Sequence, residues 1–366
     1  MIKVKRRVKV GMVFKQKLSN QTIDYKKNSL QLVKYIAAFS VMWVHLINHY
    51  SINVPEWINT GISYFFGVPL FFSISGFTIW LSLEKNSDYK NYFSKRFFRI
   101  YPELWIGVLI SIVSIVSLYS PVRNIQSVII LGLFAMTQGT FMQFWTPDAL
   151  RGFGVGTPNG SLWTICVMIQ FYIVTIMLYK FLRNKRIYWW FVLLLISVVS
   201  ALIMPLLSGV LPEVVCKLYG QLLPVHFWMF WVGMFIAKYK TQLIPFLKRF
   251  WYLFLIANII LRILGLDLEL TYPLFKSILL IAGMIGFAYA VPSIKISYDC
   301  TYGIYIYHMI IVNIFVHVGL QGQYWLIPVT IVATLIASIT STAAGNFIRK
   351  RFEKPSAPRG GKTNCV

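Results

Sequence analysis

Long apolar runs, separated by short polar and basic segments, are the main pattern of this chain. Ten of these runs have about the 20 residues that an α-helix needs to cross a bilayer. They lie at about 30–49, 61–83, 100–119, 161–181, 187–208, 220–238, 249–266, 273–291, 298–319 and 324–346. The pattern predicts an all-α fold: a polytopic membrane helix bundle of about ten transmembrane helices.

The stretch 126–144 is also apolar enough to span a bilayer. A span at this point would reverse the side of every later loop and would spoil the charge distribution described below. We therefore interpret this stretch as an interfacial or re-entrant helix on the outer side of the membrane. A full span remains the alternative.

Composition and charge agree with a membrane protein of fixed orientation. Hydrophobic residues make up 57% of the chain and charged residues 13%, against about 25% charged in soluble domains. The net charge is +24, which in a soluble protein would indicate nucleic-acid binding. If the N-terminus is cytoplasmic, however, thirty of the 35 Lys and Arg residues lie on the cytoplasmic side. This positive-inside bias predicts that both termini are cytoplasmic and that no nucleic acid is bound.

The same pattern divides the chain into three parts. Residues 1–29 are expected to form a basic cytoplasmic tail, residues 30–348 a transmembrane domain, and residues 349–366 a second basic cytoplasmic tail. We expect a multi-pass protein of the cell membrane (plasma or inner membrane), with the lipid bilayer as its immediate partner.

One histidine lies inside the first apolar run. His45 follows Lys34 by eleven residues, so on a helix both side chains leave the same face, about 16 Å apart along the axis. An ionisable side chain in a span indicates function by default, and imidazole is a suitable general base. The alternative is a structural histidine hydrogen-bonded to a neighbouring helix. His49 lies one turn further, but this span contains no acidic or Cys ligand, so we predict no metal site.

Other segments give functional signals that are weaker when each segment is considered alone. Arg96 and Arg99 share one helical face and suit a polyphosphate, although topology anchoring is an equal alternative. Pro102 is expected in the first turn of the third span. The run 67–77, which contains Ser75, fits close helix packing. The remaining polar residues placed in spans are Trp163, Gln170, Tyr302, Tyr305 and His308, the last three on roughly one face.

Taken together, these segments resemble the acyltransferase-3 family of integral membrane O-acyltransferases. The family's Leu-Asp-x-Leu-Arg, followed by a His eleven residues later, is matched by 30–34 and His45. Its Gly-Val-x-x-Phe-Phe-x-x-Ser-Gly-Phe is matched by 67–77, and its Arg-x-x-Arg-Ile-x-Pro by 96–102. Its Trp-Ser-Leu-x-x-Glu-x-x-Phe-Tyr is matched by 163–172, its Ser-Tyr-Gly-Ile-Tyr-x-x-His by 301–308 and its Glu-x-Pro by 353–355.

The chain departs from this pattern at three positions where the family has a charged residue. Gln31 and Lys34 stand where the family has Asp and Arg, and Lys keeps the charge but loses the bidentate fork. Met168 stands where the family has a glutamate, and Glu103, expected near the cytoplasmic face, is a poor substitute. A catalytically inactive member of the family is therefore one alternative to an active enzyme.

The resemblance implies transfer of an acetyl or other short acyl group from cytoplasmic acyl-CoA to a sugar hydroxyl of a cell-envelope glycan or its lipid-linked precursor. It implies His45 as the catalytic residue and Lys34, Arg96 and Arg99 as ligands of the acyl-CoA. The expected cavity-lining residues are Ser75, Trp163, Gln170, Tyr302, Tyr305 and His308. Acetyl-CoA is a substrate here, and no bound cofactor is implied. A transporter or flippase of an envelope precursor is the alternative from another class, although we see no sequence repeat between the two halves of the chain.

Overall fold

The computed structural model describes residues 24–352 except 26, 120–125, 208, 295 and 297. Within this part all regular structure is helical, as predicted. The α-helices are α1 Leu30–Tyr50, α2 Glu56–Ser63, α3 Gly67–Lys85, α4 Tyr89–Leu118, α5 Gln126–Gln138, α6 Trp163–Leu182, α7 Ile187–Leu207, α8 Glu213–Tyr219, α9 Leu223–Lys238, α10 Lys240–Ile263, α11 Leu274–Ala290, α12 Thr301–His317 and α13 Leu326–Phe352. Most of both predicted basic tails, and the Glu353–Pro355 motif, lie outside the described residues.

Among the described residues, eight helical segments are long and apolar enough to cross a membrane, and they correspond to eight of the ten predicted spans. The other two predicted spans, 273–291 and 298–319, form α11 and α12, which are apolar helices of 17 residues each. A helix of that length is about 25 Å long, which lies at the lower end of the range for a span. The prediction of a multi-pass helical membrane protein is confirmed.

The third predicted span starts earlier than expected. Asp88 accepts a hydrogen bond from the backbone N–H of Asn91 and so caps α4, which begins at Tyr89. Pro102 therefore lies inside the helix, and the prediction that it occupies the first helical turn is wrong. Hydropathy alone misses the first eleven residues of α4 because they are charged and aromatic.

The described residues fall into two compact units, each considered by itself. The first unit comprises the described residues up to Ser87 together with Trp163–Thr301, and the second comprises the described residues of 88–162 and those from Tyr302 onward. Helices α1–α3 and α6–α11 therefore belong to the first unit. Helices α4, α5 and α13, and α12 after Thr301, belong to the second.

The core of the first unit is the contact between α3 and α9. A Cβ atom at Gly76 would overlap the carbonyl oxygen of Phe230, and a Cβ atom at Gly233 would overlap that of Ser73. The two backbones can approach so closely because both positions lack a side chain. The sequence indicated close helix packing for 67–77, and α3 does pack closely against α9 at this run.

The second unit contains the ambiguous stretch 126–144. Helix α5 has 13 residues, about 20 Å, and its C-terminal end meets α4 in the middle, where the Trp105 indole N–H donates to the Gly139 carbonyl oxygen at 2.9 Å. The chain then returns to the C-terminal end of α4, where Phe153 packs against Tyr119. Tyr119 is also the C-cap residue at which α4 ends before this segment begins. A segment that enters and leaves at one end supports the interpretation of a re-entrant helix over that of a full span.

After this segment, an irregular stretch from Gly154 to Asn159 lies along α12. The Asn313 side chain accepts from the Val155 N–H at 2.9 Å and donates to the Pro158 carbonyl oxygen at 3.1 Å. Gly154 has a φ of +57° and packs against Asn313 so closely that a Cβ atom would collide with it. The Asn313 side chain thus gives backbone polar groups of this non-helical stretch the partners that a helix would otherwise supply.

Candidate functional site

Helix α1 carries the two residues that the sequence singled out first. It runs unbroken from Leu30 to Tyr50, so the predicted spacing of Lys34 and His45 on one face is maintained. His45 is half-buried, and its Nδ1 lies 3.5 Å from Nε2 of His49. The two rings stack with centroids 5.6 Å apart and an interplanar angle of 11°. His45 is thus an imidazole inside an apolar helix, with a second imidazole as its neighbour.

The ammonium group of Lys34 lies close to a carboxylate oxygen and an amide oxygen. Its Nζ lies 3.4 Å from Oδ2 of Asp299 and 3.3 Å from Oε1 of Gln31. The other oxygen of Asp299 caps the start of α12, since Oδ1 accepts from the Thr301 hydroxyl at 2.6 Å. The ion pair with Lys34 was missed because the two residues are 265 positions apart in the chain.

The stretch before α12 is held against α1 by Tyr35. The Tyr35 hydroxyl donates to the Tyr298 carbonyl oxygen at 2.7 Å and accepts from the Cys300 N–H at 3.3 Å. Asp299 lies between these two anchored residues. Its carboxylate is therefore presented to Lys34 by a fixed backbone.

Gln170 and Trp163 on α6 both contact the start of α9. The Gln170 amide donates to the Gln221 carbonyl oxygen at 2.7 Å and accepts from the Leu223 N–H at 2.8 Å, so it serves an otherwise orphaned helix N-terminus. The ring of Trp163 lies 5.2 Å from the ring of His226. The sequence analysis singled out Trp163 and Gln170, but it did not single out His226.

His226 is 1% exposed. Its Nε2 bonds to the Gly220 carbonyl oxygen at 2.8 Å, and its Nδ1 has no hydrogen-bond partner among the residues that the structure describes. The signal that identified His45, an ionisable side chain in an apolar run, is equally present at His226. Applied to every span, the same argument would have found it.

Ser75 and Met168 occupy less informative positions in the first unit. Both side chains are half-buried, Ser75 on α3 and Met168 on α6. The fully buried hydroxyl of α3 is that of the neighbouring Ser73, which donates within its own helix to the Leu70 carbonyl oxygen. The assignment of Ser75 to a cavity stays a prediction.

Arg96 and Arg99 lie on α4, in the second unit. The unbroken helix places them on one face, as their spacing predicts. Both are half-buried, and the guanidinium carbon of Arg96 lies 5.5 Å from the centre of the Tyr92 ring. Lys34 belongs to the first unit, so a donor site that the three cations share stays a prediction.

The polar stripe of α12 is partly used in packing. Tyr305 and Ser161 form a reciprocal pair, in which the Tyr305 hydroxyl donates to the Ser161 carbonyl oxygen at 2.8 Å and the Ser161 hydroxyl donates to the Tyr305 carbonyl oxygen at 3.0 Å. His308 is fully buried, with Nδ1 2.9 Å from the Ile304 carbonyl oxygen. Tyr302, at the start of the stripe, is half-buried.

Glu103 is a buried carboxylate of the second unit. Its Oε2 accepts from the Thr342 hydroxyl at 3.2 Å, and its backbone carbonyl accepts from the Tyr307 hydroxyl at 3.2 Å. Met168, which stands where the family has its glutamate, belongs to the first unit. These contacts give Glu103 a role in joining α4, α12 and α13.

No group of three or more His, Cys, Asp or Glu side chains in the described part of the chain is placed to hold a metal ion. His45 and His49 form a pair without a third ligand type within their helix. That the site works without a metal stays a prediction.

Comparison with known proteins decides the family. The sequence matches the acyltransferase-3 domain model, described as an acyltransferase domain, over residues 27–344. The chain belongs to the acyltransferase-3 family. It is therefore an acyltransferase, and its apolar helices make it a multi-pass membrane enzyme. The resemblance deduced from six short motifs is confirmed.

Three curated relatives of this acyltransferase are informative. Nodulation protein 10 of Rhizobium leguminosarum is 26% identical over 353 residues, which are 89% of this chain and 94% of that protein. The O-acetyl transferase of Shigella phage Sf6 is 25% identical over 345 residues, 92% of this chain and 98% of that protein. The peptidoglycan O-acetyltransferase OatA of Listeria monocytogenes is 24% identical over 178 residues, 46% of this chain and 27% of that protein. No solved structure matches this acyltransferase significantly.

Proposed function

We propose that this acyltransferase moves an acetyl or other short acyl group from cytoplasmic acyl-CoA to a sugar hydroxyl of a cell-surface polysaccharide or of its lipid-linked precursor. The observation that carries the proposal is His45, an imidazole in an unbroken apolar helix eleven residues after Lys34. The names of two relatives, an O-acetyl transferase and a peptidoglycan O-acetyltransferase, support an oxygen acceptor and an envelope glycan. We place the enzyme in the cell (plasma or inner) membrane.

The proposed reaction uses His45 as general base. Its imidazole takes the proton of the acceptor hydroxyl as the oxygen attacks the thioester carbonyl. The new C–O ester bond forms, the C–S bond breaks, and the CoA thiolate leaves and takes up a proton. Lys34, Arg96 and Arg99 bind the phosphates of the acyl-CoA, for which guanidinium groups are well suited. The residues proposed to line the cavity are Ser75, Trp163, Gln170, Tyr302, Tyr305 and His308.

The proposal is tested with radiolabelled acetyl-CoA. Membrane vesicles that contain the protein, with the cytoplasmic face outward, are supplied with labelled donor and an envelope extract. Alkali-labile label in the glycan or lipid-linked sugar is the expected result. Movement of unlabelled precursor across the membrane would instead support a transporter. The absence of both label and movement would support an inactive relative, for which Met168 is the motivation.

The donor site gives a separate prediction. Replacing Arg96 and Arg99 together with alanine is expected to raise the KM for acetyl-CoA at least about a hundredfold, because each charge-assisted phosphate contact contributes about 1.5–3 kcal/mol and two such contacts are removed. The matched control replaces Lys90 and Lys95, two exposed cations of the same helix, with alanine. An equal change of KM in both double variants would show that the arginines contribute only general positive charge.

A further inference from the structure

We propose that Asp299 is the positioning residue of Lys34, and that it supplies from α12's N-terminal side the carboxylate that the family pattern carries at position 31. This inference rests on the proposed role of Lys34 in binding the acyl-CoA. The family pairs Asp and Arg within one segment, whereas this chain has Gln31 and Lys34 there. The charge has not disappeared from the site but comes from a different part of the chain.

The geometry around Lys34 carries the argument. Asp299 Oδ2 and Gln31 Oε1 lie at nearly equal distances from the ammonium nitrogen, 3.4 Å and 3.3 Å. The Lys34 and Asp299 side chains are 25% and 27% exposed, so both are largely withdrawn from solvent. Of these two oxygens, only the one on Asp299 carries a formal charge. A carboxylate at this place fixes the direction of a long and flexible lysine side chain.

Several hydrogen bonds fix the position of Asp299. Tyr35 anchors the residue before it and the residue after it, and the Thr301 hydroxyl binds its second oxygen. Since Tyr35 follows Lys34 directly on α1, the same turn of helix that presents the ammonium also holds the carboxylate opposite it. Such a double attachment goes beyond what a helix cap requires.

The two equidistant oxygens make an isosteric test possible. Asp299→Asn removes the charge and keeps an oxygen for the cap, whereas Gln31→Glu adds a charge and keeps the side-chain shape. The double variant moves the carboxylate from position 299 to position 31 without removing any heavy atom from the site. It therefore separates the effect of the charge from the effect of the contact.

We expect Asp299→Asn to raise the KM for acetyl-CoA about fivefold or more, within the range of coupling between groups in contact, with a smaller effect on kcat. The double variant Asp299→Asn with Gln31→Glu should recover most of this loss. Asp148→Asn, the same change in an exposed local ion pair, should have no effect. A wild-type KM in Asp299→Asn, or no recovery in the double variant, would overturn the proposal.

A second measurement does not depend on catalysis. In a double-mutant cycle, Asp299→Asn is expected to lower the Tm of the purified protein in the wild-type background and to leave it unchanged in the Lys34→Met background. Equal effects in the two backgrounds would overturn the positioning role. If the wild-type protein transfers no acetyl group, the proposed function fails, while this cycle still decides whether Asp299 acts through Lys34.

Discussion

Replacement of His45 with alanine is expected to abolish acetyl transfer while the protein still inserts and folds. A positioned general base contributes about 10²–10⁴-fold to the rate, so we expect the kcat of the variant to be lower than that of the wild type by at least about 10²-fold. The side chain is only half-buried, so the change costs little stability. The measurement is the initial rate of label transfer from acetyl-CoA, normalised to the amount of protein in the membrane.

Two further variants of helix α1 show whether a loss of rate in His45→Ala is specific to His45. Val44, the preceding residue, is 39% exposed and should tolerate alanine without loss of rate. His49→Ala should give an intermediate loss, because the His49 ring is the stacked neighbour of His45 and its Nε2 faces Nδ1 of His45. Substantial transfer by His45→Ala would remove His45 from the mechanism, and a similar loss in Val44→Ala would mean that α1 is merely sensitive to change.

The His49 variant tests what orients His45 in a chain that has Met168 in place of the family's glutamate. Where the family pattern has a glutamate, this chain has a thioether that can neither orient an imidazole by charge nor exchange a proton. The ring of His49 is a polar neighbour of His45, with 3.5 Å between the two nitrogens. A second imidazole is able to hold the tautomer of the first, a role that carboxylates and carbonyls often fill.

The elements that the sequence predicted well are those whose signal is local. Helix α1 was predicted at 30–49 and found at Leu30–Tyr50, because an apolar run of spanning length contains its own evidence. The start of α4 was missed by eleven residues. Its first three turns are rich in charge and aromatic rings, and a cap at Asp88 rather than hydropathy defines where they begin.

The same distinction applies to the candidate site. The shared face of Lys34 and His45 follows from helix geometry and could be predicted. The pair of Lys34 with Asp299 joins residues 265 positions apart, and no periodicity in one sequence encodes such a contact. Gln170 was assigned to a cavity because it is polar within a span. The structure shows its amide bound to the backbone at the start of α9.

The close contact of α3 with α9 predicts the largest effect on stability. Gly233→Ala should destabilise the protein by at least about 3 kcal/mol, the upper end of the cost of overpacking. The added methyl group would overlap the Ser73 carbonyl oxygen and lie 2.9 Å from the Phe77 nitrogen. These are backbone atoms of a packed helix, which cannot rotate away as a side chain can. The two helices would have to separate, and the contacts of their buried aromatic residues would be lost.

Gly61→Ala is the matched control, because nothing lies within 4 Å of the methyl group that it adds. In helix α2 this change should be neutral or stabilise by up to about 1 kcal/mol through helix propensity alone. The same substitution is thus expected to destabilise the protein at one helical glycine of this unit and not at the other. Thermal unfolding of the detergent-purified variants measures both. A Tm for Gly233→Ala as high as that of Gly61→Ala would show that α3 and α9 are free to move apart.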